Sequence, residues 1–247
     1  MKTIALYNIK GGVGKTAAAV NLAYLAAAEN IQTLLIDLDP QGSASFYFRI
    51  KPSKKFNTKK LLKGGRGIDK NIKGTDFEGL DLLPADISFR NMDIVLDDLK
   101  RSQKRLREIL KPLKKEYDLI ILDCPPNVTL LSENVFIAAD RIIIPTIPTT
   151  LSIISLNKLL SFFENTGFDK KKLAPFYSMV EKRKIMHRQI LNSPEKEKVI
   201  FLKPHIPYNA DIEKMGIYRQ PTTYFSSNST ASKAYNCLWN EVKNLIF

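Results

Sequence analysis

Residues 9–16 form a glycine-rich segment with two lysines, a combination suited to holding phosphate groups. The segment reads Ile-Lys-Gly-Gly-Val-Gly-Lys-Thr and departs from the strict phosphate-loop pattern G-x-x-x-x-G-K-[ST], because Ile9 stands at the first glycine position. An apolar run at 3–7 precedes it and predicts a strand, and an alanine-rich run at 17–28 follows it and predicts a helix. This order of elements predicts a nucleotide-binding loop.

The polar groups of this loop have predicted chemical tasks. The Lys15 ammonium would neutralise the β- and γ-phosphates, and the Thr16 hydroxyl is the expected Mg²⁺ ligand. Backbone N–H groups would point at phosphate oxygens from a turn permitted by the glycines Gly11, Gly12 and Gly14. The helix that starts near Lys15 adds the positive end of its dipole.

Two acidic motifs follow predicted parallel strands, at the sheet edge where ligands bind in open α/β folds. Asp123 ends the apolar run 119–122, where an unpaired carboxylate would be costly to bury. We therefore assign Asp123 to the Mg²⁺ shell. Asp37 and Asp39 follow the apolar run 34–36, and both are candidates for a catalytic role.

Four segments together resemble the ParA/MinD-type partition and positioning ATPases, the deviant-P-loop family that also includes the nitrogenase iron protein. Besides the loop, residues 35–42 (Leu-Ile-Asp-Leu-Asp-Pro-Gln-Gly) are similar to the family's second acidic motif. Residues 117–126 (Tyr-Asp-Leu-Ile-Ile-Leu-Asp-Cys-Pro-Pro) resemble its Walker B strand, and residues 206–209 (Ile-Pro-Tyr-Asn) resemble the late loop that holds adenine. The strings Asp-Cys-Pro-Pro and Asp-Pro-Gln-Gly are closer to the ParA branch than to MinD.

The resemblance implies ATP and Mg²⁺ as cofactors and gives roles to particular residues. The implied nucleotide-binding residues are Lys10, Gly11, Gly12, Val13, Gly14, Lys15, Thr16, Ala17, Pro207 and Asn209, and the implied metal ligands are Thr16 and Asp123. The implied catalytic residues are Lys10, Lys15, Asp39 and Asp123. Asp39 would orient the water that attacks the γ-phosphate, with Asp37 as the competing candidate. Ser43 and Ala17 depart from the family, which often has asparagine, and Thr or Ser, at these positions.

The family resemblance also gives Lys10 a role in the quaternary structure. The resemblance implies that this lysine reaches outward across a two-fold interface and stabilises the partner's phosphates, as an arginine finger supplied in trans does. The resemblance therefore also implies an ATP-dependent homodimer and slow hydrolysis that is stimulated by a partner and by DNA. The family also implies a ParB-like adaptor protein as the stimulating partner.

The net charge of +13 and a pI near 9.6 favour a polyanionic partner. Basic residues concentrate in three blocks, 51–73, 100–115 and 170–188. In ParA-like proteins the ATP dimer binds DNA without sequence preference, and the matching cations here are Lys182, Arg183, Lys184, Arg188, Lys214, Arg219 and Lys233. A cytoplasmic, nucleoid-associated protein without integral membrane association is the corresponding expectation, since no apolar run has the roughly 18 residues that a span requires.

Three other functions on the same fold stay open at this point. A MinD-like membrane-surface switch would use the C-terminal segment 235–247 as an amphipathic helix, although its single lysine, Lys243, favours a helix docked on the core. Electron transfer, as in the iron protein, would need cysteines that meet across a two-fold axis, and Cys124 and Cys237 are the two available. A small-molecule kinase or ligase is the third alternative.

Strand and helix alternate along the chain, which predicts a single-domain α/β fold with a mostly parallel twisted sheet covered by helices on both faces. The predicted strands span 3–8, 32–37, 80–84, 119–123, 141–145, 173–180 and 199–203. The predicted helices span 15–29, 88–113, 130–138, 151–166, 183–192 and 230–246. The lysine- and glycine-rich stretch 51–75 is predicted to be a mobile, solvated excursion within the domain.

Overall fold

The computed structural model describes residues 1–99, 102–192 and 199–247. Its strands are β1 Lys2–Leu6, β2 Thr33–Asp37, β3 Lys73–Gly74, β4 Leu80–Leu83, β5 Leu119–Asp123, β6 Arg141–Thr146 and β7 Leu173–Tyr177. They form one seven-stranded sheet in the order β3-β4-β2-β5-β1-β6-β7. The short edge strand β3 is antiparallel to β4, and the other described pairs are parallel. The predicted fold class is confirmed.

Helices connect the strands. They are α1 Lys15–Ala28, α2 Ser43–Tyr47, α3 Thr58–Lys63, α4 Arg66–Asp69, α5 Met92–Asp97, α6 Arg105–Leu110, α7 Leu130–Ala138, α8 Thr150–Thr166, α9 Ile185–Leu191, α10 Ala210–Glu213, α11 Met215–Tyr218, α12 Thr222–Phe225 and α13 Thr230–Ile246. Short 3₁₀ segments lie at Ile87–Asn91, Ser102–Lys104, Lys111–Lys115 and Lys170–Lys172.

Both faces of the sheet are buried, because successive residues of a strand point to opposite sides. On one side, Ile4 and Leu6 of β1 belong to a core that also contains residues of α1 and α13. On the other side, Ala5 of β1 belongs to a core that contains residues of α7 and α8. Helices on both faces hold the strands in place and leave the carboxyl edge of the sheet free for a ligand.

The C-terminal helix α13 is docked on the core, as its apolar spacing favoured. The apolar residues on its inner face are buried, namely Ala231, Tyr235, Leu238, Trp239, Val242 and Ile246. Among the described residues, no helix is both long and apolar enough to cross a membrane.

The stretch 51–75 is exposed over much of its length, as expected of a solvated excursion, but it also forms regular elements and contributes to the core. Phe56, Leu61, Leu62 and Ile68 are buried in the core on the α7 side of the sheet, and α3, α4 and β3 form within the stretch. Four apolar residues therefore anchor a lysine-rich stretch, while Lys59 and Lys63 of α3 and Arg66 of α4 are exposed.

The single long helix predicted at 88–113 is divided into shorter segments, including α5 and α6. Lys100 and Arg101, between those two helices, lie outside the described residues. A side chain from α7 marks the start of α6, because Asn134 Oδ1 accepts a hydrogen bond from the Leu106 N–H (3.1 Å). In return, Asp93 Oδ1 of α5 accepts a hydrogen bond from the Leu131 N–H at the start of α7 (2.8 Å). Tertiary contacts thus create new helix ends that the apolar periodicity could not show.

The strand predicted at 199–203 was also wrong. Leu202 N–H donates to the Pro175 carbonyl of β7 (2.8 Å), but Pro175 has no N–H with which to continue a ladder. Lys203 N–H instead donates to the Glu241 carboxylate of α13. Because Pro175 cannot continue the ladder, the segment 199–203 connects its neighbours without forming a strand.

Candidate functional site

The predicted phosphate loop and both acidic motifs meet at the carboxyl edge of the sheet. Strands β2, β5 and β1 are adjacent, and the register places Asp123 opposite Leu6 on one side and opposite Asp37 on the other. The loop that follows β1 therefore lies beside the ends of β5 and β2. This is the position at which parallel α/β sheets bind their ligands.

The loop turns through two glycines with positive φ angles, 70° at Gly12 and 91° at Gly14. A Cβ atom at Gly14 would also lie 3.0 Å from the Ser178 Oγ. Both the positive φ angle and the limited space therefore favour glycine at this position. Ala18 N–H donates to the Gly14 carbonyl (3.0 Å), which leaves the N–H groups of the first turn of α1 for a ligand. Val13 is fully buried beneath the turn.

Asn8 anchors the start of the loop, and sequence reasoning missed it. Its amide Nδ2 donates to the Pro145 carbonyl of β6 (2.8 Å), and its Oδ1 accepts a hydrogen bond from the Lys10 N–H (2.8 Å). The buried amide thus ties the loop to the neighbouring strand. Its position at the end of a strand, directly before the glycine turn, was the signal that could have identified it.

Lys15 lies in the loop with 7% of its surface exposed. Its ammonium donates to the Lys10 carbonyl (3.2 Å). Burial lowers the pKa of Lys15, while the carboxylates of Asp123 and Asp39 act in the opposite direction. Acidic neighbours therefore help to keep this cation charged where phosphates would bind.

Asp123 is fully buried, and neither carboxylate oxygen has a hydrogen-bond partner within the described residues. Burial, and secondarily the neighbouring Asp37 carboxylate, raise the pKa of Asp123 well above its usual value. The facing Thr16 hydroxyl and the Lys15 ammonium oppose this rise in pKa. An unsatisfied carboxylate beside a hydroxyl is a set of hard oxygen donors, which fits Mg²⁺.

The two carboxylates of the second acidic motif have different surroundings. Asp37 is buried and accepts hydrogen bonds from the Ser45 N–H (2.8 Å), the Ser45 hydroxyl (2.7 Å) and the Asp39 N–H (3.3 Å). Asp39 is partly exposed, and its Oδ1 accepts a hydrogen bond from the Gln41 N–H (3.0 Å). Asp37 therefore fixes the backbone of the loop, whereas Asp39 retains acceptor capacity toward the site. Ser45 was not anticipated from the sequence.

Asp37 predicts a pH dependence of stability. Burial raises the pKa of Asp37 from 3.8 to about 6, although hydrogen bonds from Ser45 and Asp39 partly oppose this rise. Because the folded pKa lies above the unfolded one, folding favours the protonated form, and this contribution to stability is lost as pH rises from about 4 to about 6. A shift of about two pKa units corresponds to about 3 kcal/mol.

The test compares urea unfolding of the nucleotide-free wild type with that of Asp37→Asn between pH 4 and pH 7. We expect the free energy of unfolding of the variant, relative to wild type, to rise by about 3 kcal/mol across this range. Asp98→Asn, which changes an exposed carboxylate, is the control and should show no such trend. A constant difference between Asp37→Asn and wild type at all pH values would contradict the assignment.

Lys10 lies at the rim of the loop, and its ammonium donates to the Ser152 hydroxyl of α8 (3.3 Å). The outward reach implied by the sequence is therefore not the conformation seen here. Ser152 lies in the first turn of α8, where the positive end of the helix dipole disfavours a cation. A single long hydrogen bond at such a position holds the side chain weakly, so a phosphate can compete for it.

The late loop is placed beside the nucleotide loop. Pro207 forms a parallel bridge with Val180, and Tyr208 N–H donates to the Val180 carbonyl (3.1 Å). Ser178, two residues before Val180, is the side chain that lies against Gly14. The Asn209 side chain caps α10 through the Asp211 N–H (2.8 Å) and donates to the Thr230 hydroxyl (3.1 Å), so in this structure it organises the loop.

The seven predicted DNA-binding cations do not share one set of contacts. Lys182 and Arg183 line a cavity of about 550 Å³ together with Pro207 and Thr230. Lys184 and Lys214 form ion pairs with Glu181 and Asp211, respectively. Arg219 packs over the Phe46 ring, 4.5 Å from its centroid, and donates to the Phe46 carbonyl (2.9 Å). Arg188 and Lys233 are exposed on α9 and α13.

The two cysteines have different environments. Cys124 is buried behind the end of β5, and burial raises the pKa of its thiol well above the usual value. Cys237 is exposed on α13. A buried, protonated thiol is a poor ligand for a cluster shared across a molecular surface, which disfavours the electron-transfer alternative.

The mostly parallel sheet holds a glycine loop that carries Lys10 and Lys15, with the carboxyls of Asp37, Asp39 and Asp123 beside it. This arrangement defines a P-loop nucleotide-binding protein of the deviant type. A family model described as AAA domain matches residues 1–174. The sporulation initiation inhibitor protein Soj of Bacillus subtilis is 30% identical over 98% of this chain and 98% of its own length. The chain belongs to the ParA/MinD-type family of P-loop proteins.

Two further matches have different coverage. An uncharacterized protein of Pseudomonas putida is 38% identical over 145 residues, which are 58% of this chain and 55% of that relative. The chain thus matches about half the length of this relative. A plasmid partition protein of Borrelia burgdorferi, whose crystal structure holds AMPPNP, superposes with a TM-score of 0.84 at 27% identity, covering 98% of this chain and 99% of the other.

Proposed function

We propose that this chain is a ParA-type ATPase that dimerises on ATP and binds DNA without sequence preference as a dimer. Partner-stimulated hydrolysis then releases it, and the cycle positions or segregates a cargo such as a plasmid, a chromosome region or a protein organelle. The observation that carries the proposal is the convergence of Lys15, Thr16, Asp123 and Asp39 at one sheet edge, with Lys10 at the rim.

In this proposal, the loop binds the phosphates of ATP through the backbone N–H groups of the glycine turn and the start of α1. Thr16 and Asp123 would hold Mg²⁺, which would neutralise charge on the phosphates. Lys15 balances phosphate charge directly. Asp39, partly exposed and close enough to Lys15 to affect its pKa, accepts a hydrogen bond from the attacking water and orients it. Pro207 and Asn209 belong to the loop proposed to contact adenine.

Lys10 makes this site a switch. Its ammonium leaves Ser152 and binds the phosphates of the nucleotide in a second subunit, and the reciprocal contact forms across the two-fold axis. The repulsive dipole end of α8 favours this exchange, because a phosphate is a stronger partner for an ammonium than a hydroxyl is. Loss of the γ-phosphate removes the contact, so hydrolysis would dissociate the dimer.

DNA binding would follow from dimerisation. Lys182 and Arg183 lie beside the late loop, and Arg188 is exposed on α9; no described carboxylate forms an ion pair with these three cations. A few cations give weak affinity, and two copies held in one dimer raise the effective affinity strongly. Lys184, Lys214 and Arg219 are weaker members of this face, because each is already engaged within the chain. Lys233 is exposed on α13 and belongs to the face as well.

A ParB-like adaptor would supply the stimulation of hydrolysis, and a nucleoid-associated location would follow from the DNA binding. Both belong to this proposal. The membrane-surface alternative has less support, because the apolar face of α13 is buried in the core. Leu245 and Phe247 are the exposed apolar residues at its end, and they define the variant that tests this alternative.

The DNA face is tested by the double variant Arg183→Glu/Arg188→Glu. We expect this ATP-bound variant to bind unrelated duplexes at least tenfold more weakly than wild type, with a shallower dependence of log affinity on log salt. ATP-driven dimerisation should be unchanged, because both residues lie outside the phosphate loop. Fluorescence anisotropy at several salt concentrations measures both quantities.

Lys54→Glu/Lys55→Glu is the matched control, since it makes the same charge change at two exposed lysines of the α2–α3 loop. An equal loss in this control would show an effect of net charge and contradict the assignment of the face. Anionic liposomes provide the second comparison. Binding to liposomes but not to DNA, abolished by deletion of 245–247 from a folded protein, would replace the DNA model with the membrane switch.

A further inference from the structure

A regular row of cations lies on one side of the helical stretch from Ser102 to Lys115. We name it the basal stripe, and its members are Lys104, Arg107, Lys111 and Lys114. Their spacing of three, four and three residues places them on one face of a helix, and all four are exposed. The opposite side of the stretch is buried in the core through Leu106, Ile109, Leu110 and Leu113. Packing therefore fixes the direction in which the cations point.

The basal stripe lies at the edge of the sheet opposite the nucleotide loop. Its four cations line a concave surface with a cavity of about 390 Å³, together with Met1, Thr3, Ala138 and Asp140. Thr3 is near the start of β1, and Asp140 directly precedes β6, so both mark the amino edge of the sheet. The loop that follows β1 lies at the other end of that strand, about 17 Å away along five residues. The stripe is thus separate from the ATP site.

The positive charge of this surface exceeds the negative charge of the two carboxylates that line it, Glu108 and Asp140. Among the described residues, no carboxylate forms an ion pair with any member of the stripe. The two acids in the cavity are engaged elsewhere: Glu108 pairs with Arg105 (3.2 Å), and Asp140 Oδ2 accepts a hydrogen bond from the Thr3 N–H (2.8 Å).

A further cation adjoins the stripe. Lys172 donates to the Phe136 carbonyl at the end of α7 (2.9 Å). Burial lowers the pKa of Lys172; the nearby Asp140 and Asp169 oppose this shift, and Arg107 and Arg141 add to it by repulsion. Lys172 and Arg141 thus extend the basic neighbourhood of Arg107, beside the carboxylates of Asp140 and Asp169.

The shape and chemistry of the stripe favour nucleic acid over a lipid surface. From Lys104 to Lys114 the stripe extends about 15 Å, and duplex DNA presents one phosphate per roughly 3.4 Å along each strand. Peripheral membrane binding also uses apolar side chains that enter the lipid, and the large apolar residues of the segment 102–115 are buried. Both the length of the stripe and the burial of the large apolar residues in the segment 102–115 therefore fit a DNA phosphate backbone better than a lipid surface.

We propose that the basal stripe is a second, nucleotide-independent contact for the phosphate backbone of duplex DNA. The stripe is formed within one chain, so binding there requires neither ATP nor a second subunit. Its position at the amino edge would let a molecule that holds DNA at its ATP-dependent face contact another segment of DNA on the opposite side. This inference does not rest on the ATP switch proposed above.

The test measures DNA binding by the ADP-bound protein, with the double variant Arg107→Glu/Lys111→Glu. We expect wild-type protein with ADP to bind unrelated duplexes weakly at low salt, and the variant to have a slope of log affinity against log salt that is shallower by about 2. The loss should persist with ATP. Lys54→Glu/Lys55→Glu, with the same change in net charge, should retain most of the binding. Thermal unfolding and ATP binding of the variant serve as folding checks, because both residues are exposed.

Three outcomes would overturn the proposal: wild-type binding that is absent with ADP at low salt, an unchanged salt slope in Arg107→Glu/Lys111→Glu, or an equal loss in the Lys54→Glu/Lys55→Glu control. Phosphatidylserine vesicles give the remaining comparison. If wild type binds them but not DNA, and the stripe variant loses that binding, the surface recognises lipid. Failure of the proposed ATP switch would appear differently, as wild type that stays monomeric with ATP while the stripe variant still acts with ADP.

Discussion

Asp39→Ala is expected to bind ATP as wild type does and to hydrolyse it at least about 100-fold more slowly. The change removes the group that orients the attacking water, a role that contributes roughly 10²–10⁴-fold in positioned acid–base catalysis. The phosphate cradle should be preserved, because the Asp39 side chain contacts the Gln41 N–H and makes no hydrogen bond to the glycine turn. Single-turnover hydrolysis measures the loss, and titration with a fluorescent ATP analogue measures binding.

Asp37→Ala is the informative comparison for this prediction. Its carboxylate accepts three hydrogen bonds, from the Ser45 N–H, the Ser45 hydroxyl and the Asp39 N–H, so its removal should disturb the loop and lower stability. We expect this variant to show reduced thermal stability along with any loss of hydrolysis. If Asp37→Ala kept its stability and ATP binding but lost hydrolysis, while Asp39→Ala hydrolysed normally, the two roles would be inverted.

The parts of the site that could be predicted are those with a local signature. Residues 9–16 and the strand that ends at Asp123 carry their chemistry in consecutive residues, and the alternation of apolar runs places their ends at one edge of a parallel sheet. The supporting contacts are different. Asn8 reaches Pro145, and Ser178 lies against Gly14; these contacts join residues more than 130 positions apart, and no local pattern encodes them.

The sequence alone also could not decide whether Asp37 or Asp39 orients the attacking water. Both follow the same apolar run, and spacing alone left them as competitors. Only the folded backbone shows that Ser45 turns back toward Asp37 and occupies its carboxylate. The distinction therefore depends on the conformation of the segment 38–42, which joins β2 to α2 and is not a periodic element whose side-chain directions can be read from the sequence.

The departures from the predicted fold have related causes. The stretch 51–75 was judged by its lysines and glycines, although its few apolar residues decide its packing. The strand expected at 199–203 had suitable residues but faced Pro175. For the segment 88–113, the Asn134 side chain of α7 accepts a hydrogen bond from the Leu106 N–H and so marks the start of a new helix. In each case a tertiary partner overrode a correct local preference.

Lys10→Ala is expected to abolish ATP-driven dimerisation while the monomer still binds ATP. The lysine is the loop residue whose ammonium lies at the rim, with a single weak hydrogen bond to Ser152, and its proposed partner is the phosphate chain of the other subunit. The proposed dimer would contain two such charge-assisted contacts, so their loss should weaken association by at least about 100-fold. Lys15→Ala serves as the contrast, because it should fail earlier, at nucleotide binding.

Sedimentation velocity of wild type and Lys10→Ala, each with ADP and with ATP under conditions of slowed hydrolysis, tests the central claim most directly. The account predicts that only wild type with ATP sediments as a dimer, and that Lys10→Ala stays monomeric at nucleotide concentrations that saturate it. A Lys10→Ala protein that dimerises with ATP as wild type does would contradict the trans contact, and wild type that stays monomeric with ATP would contradict the switch itself.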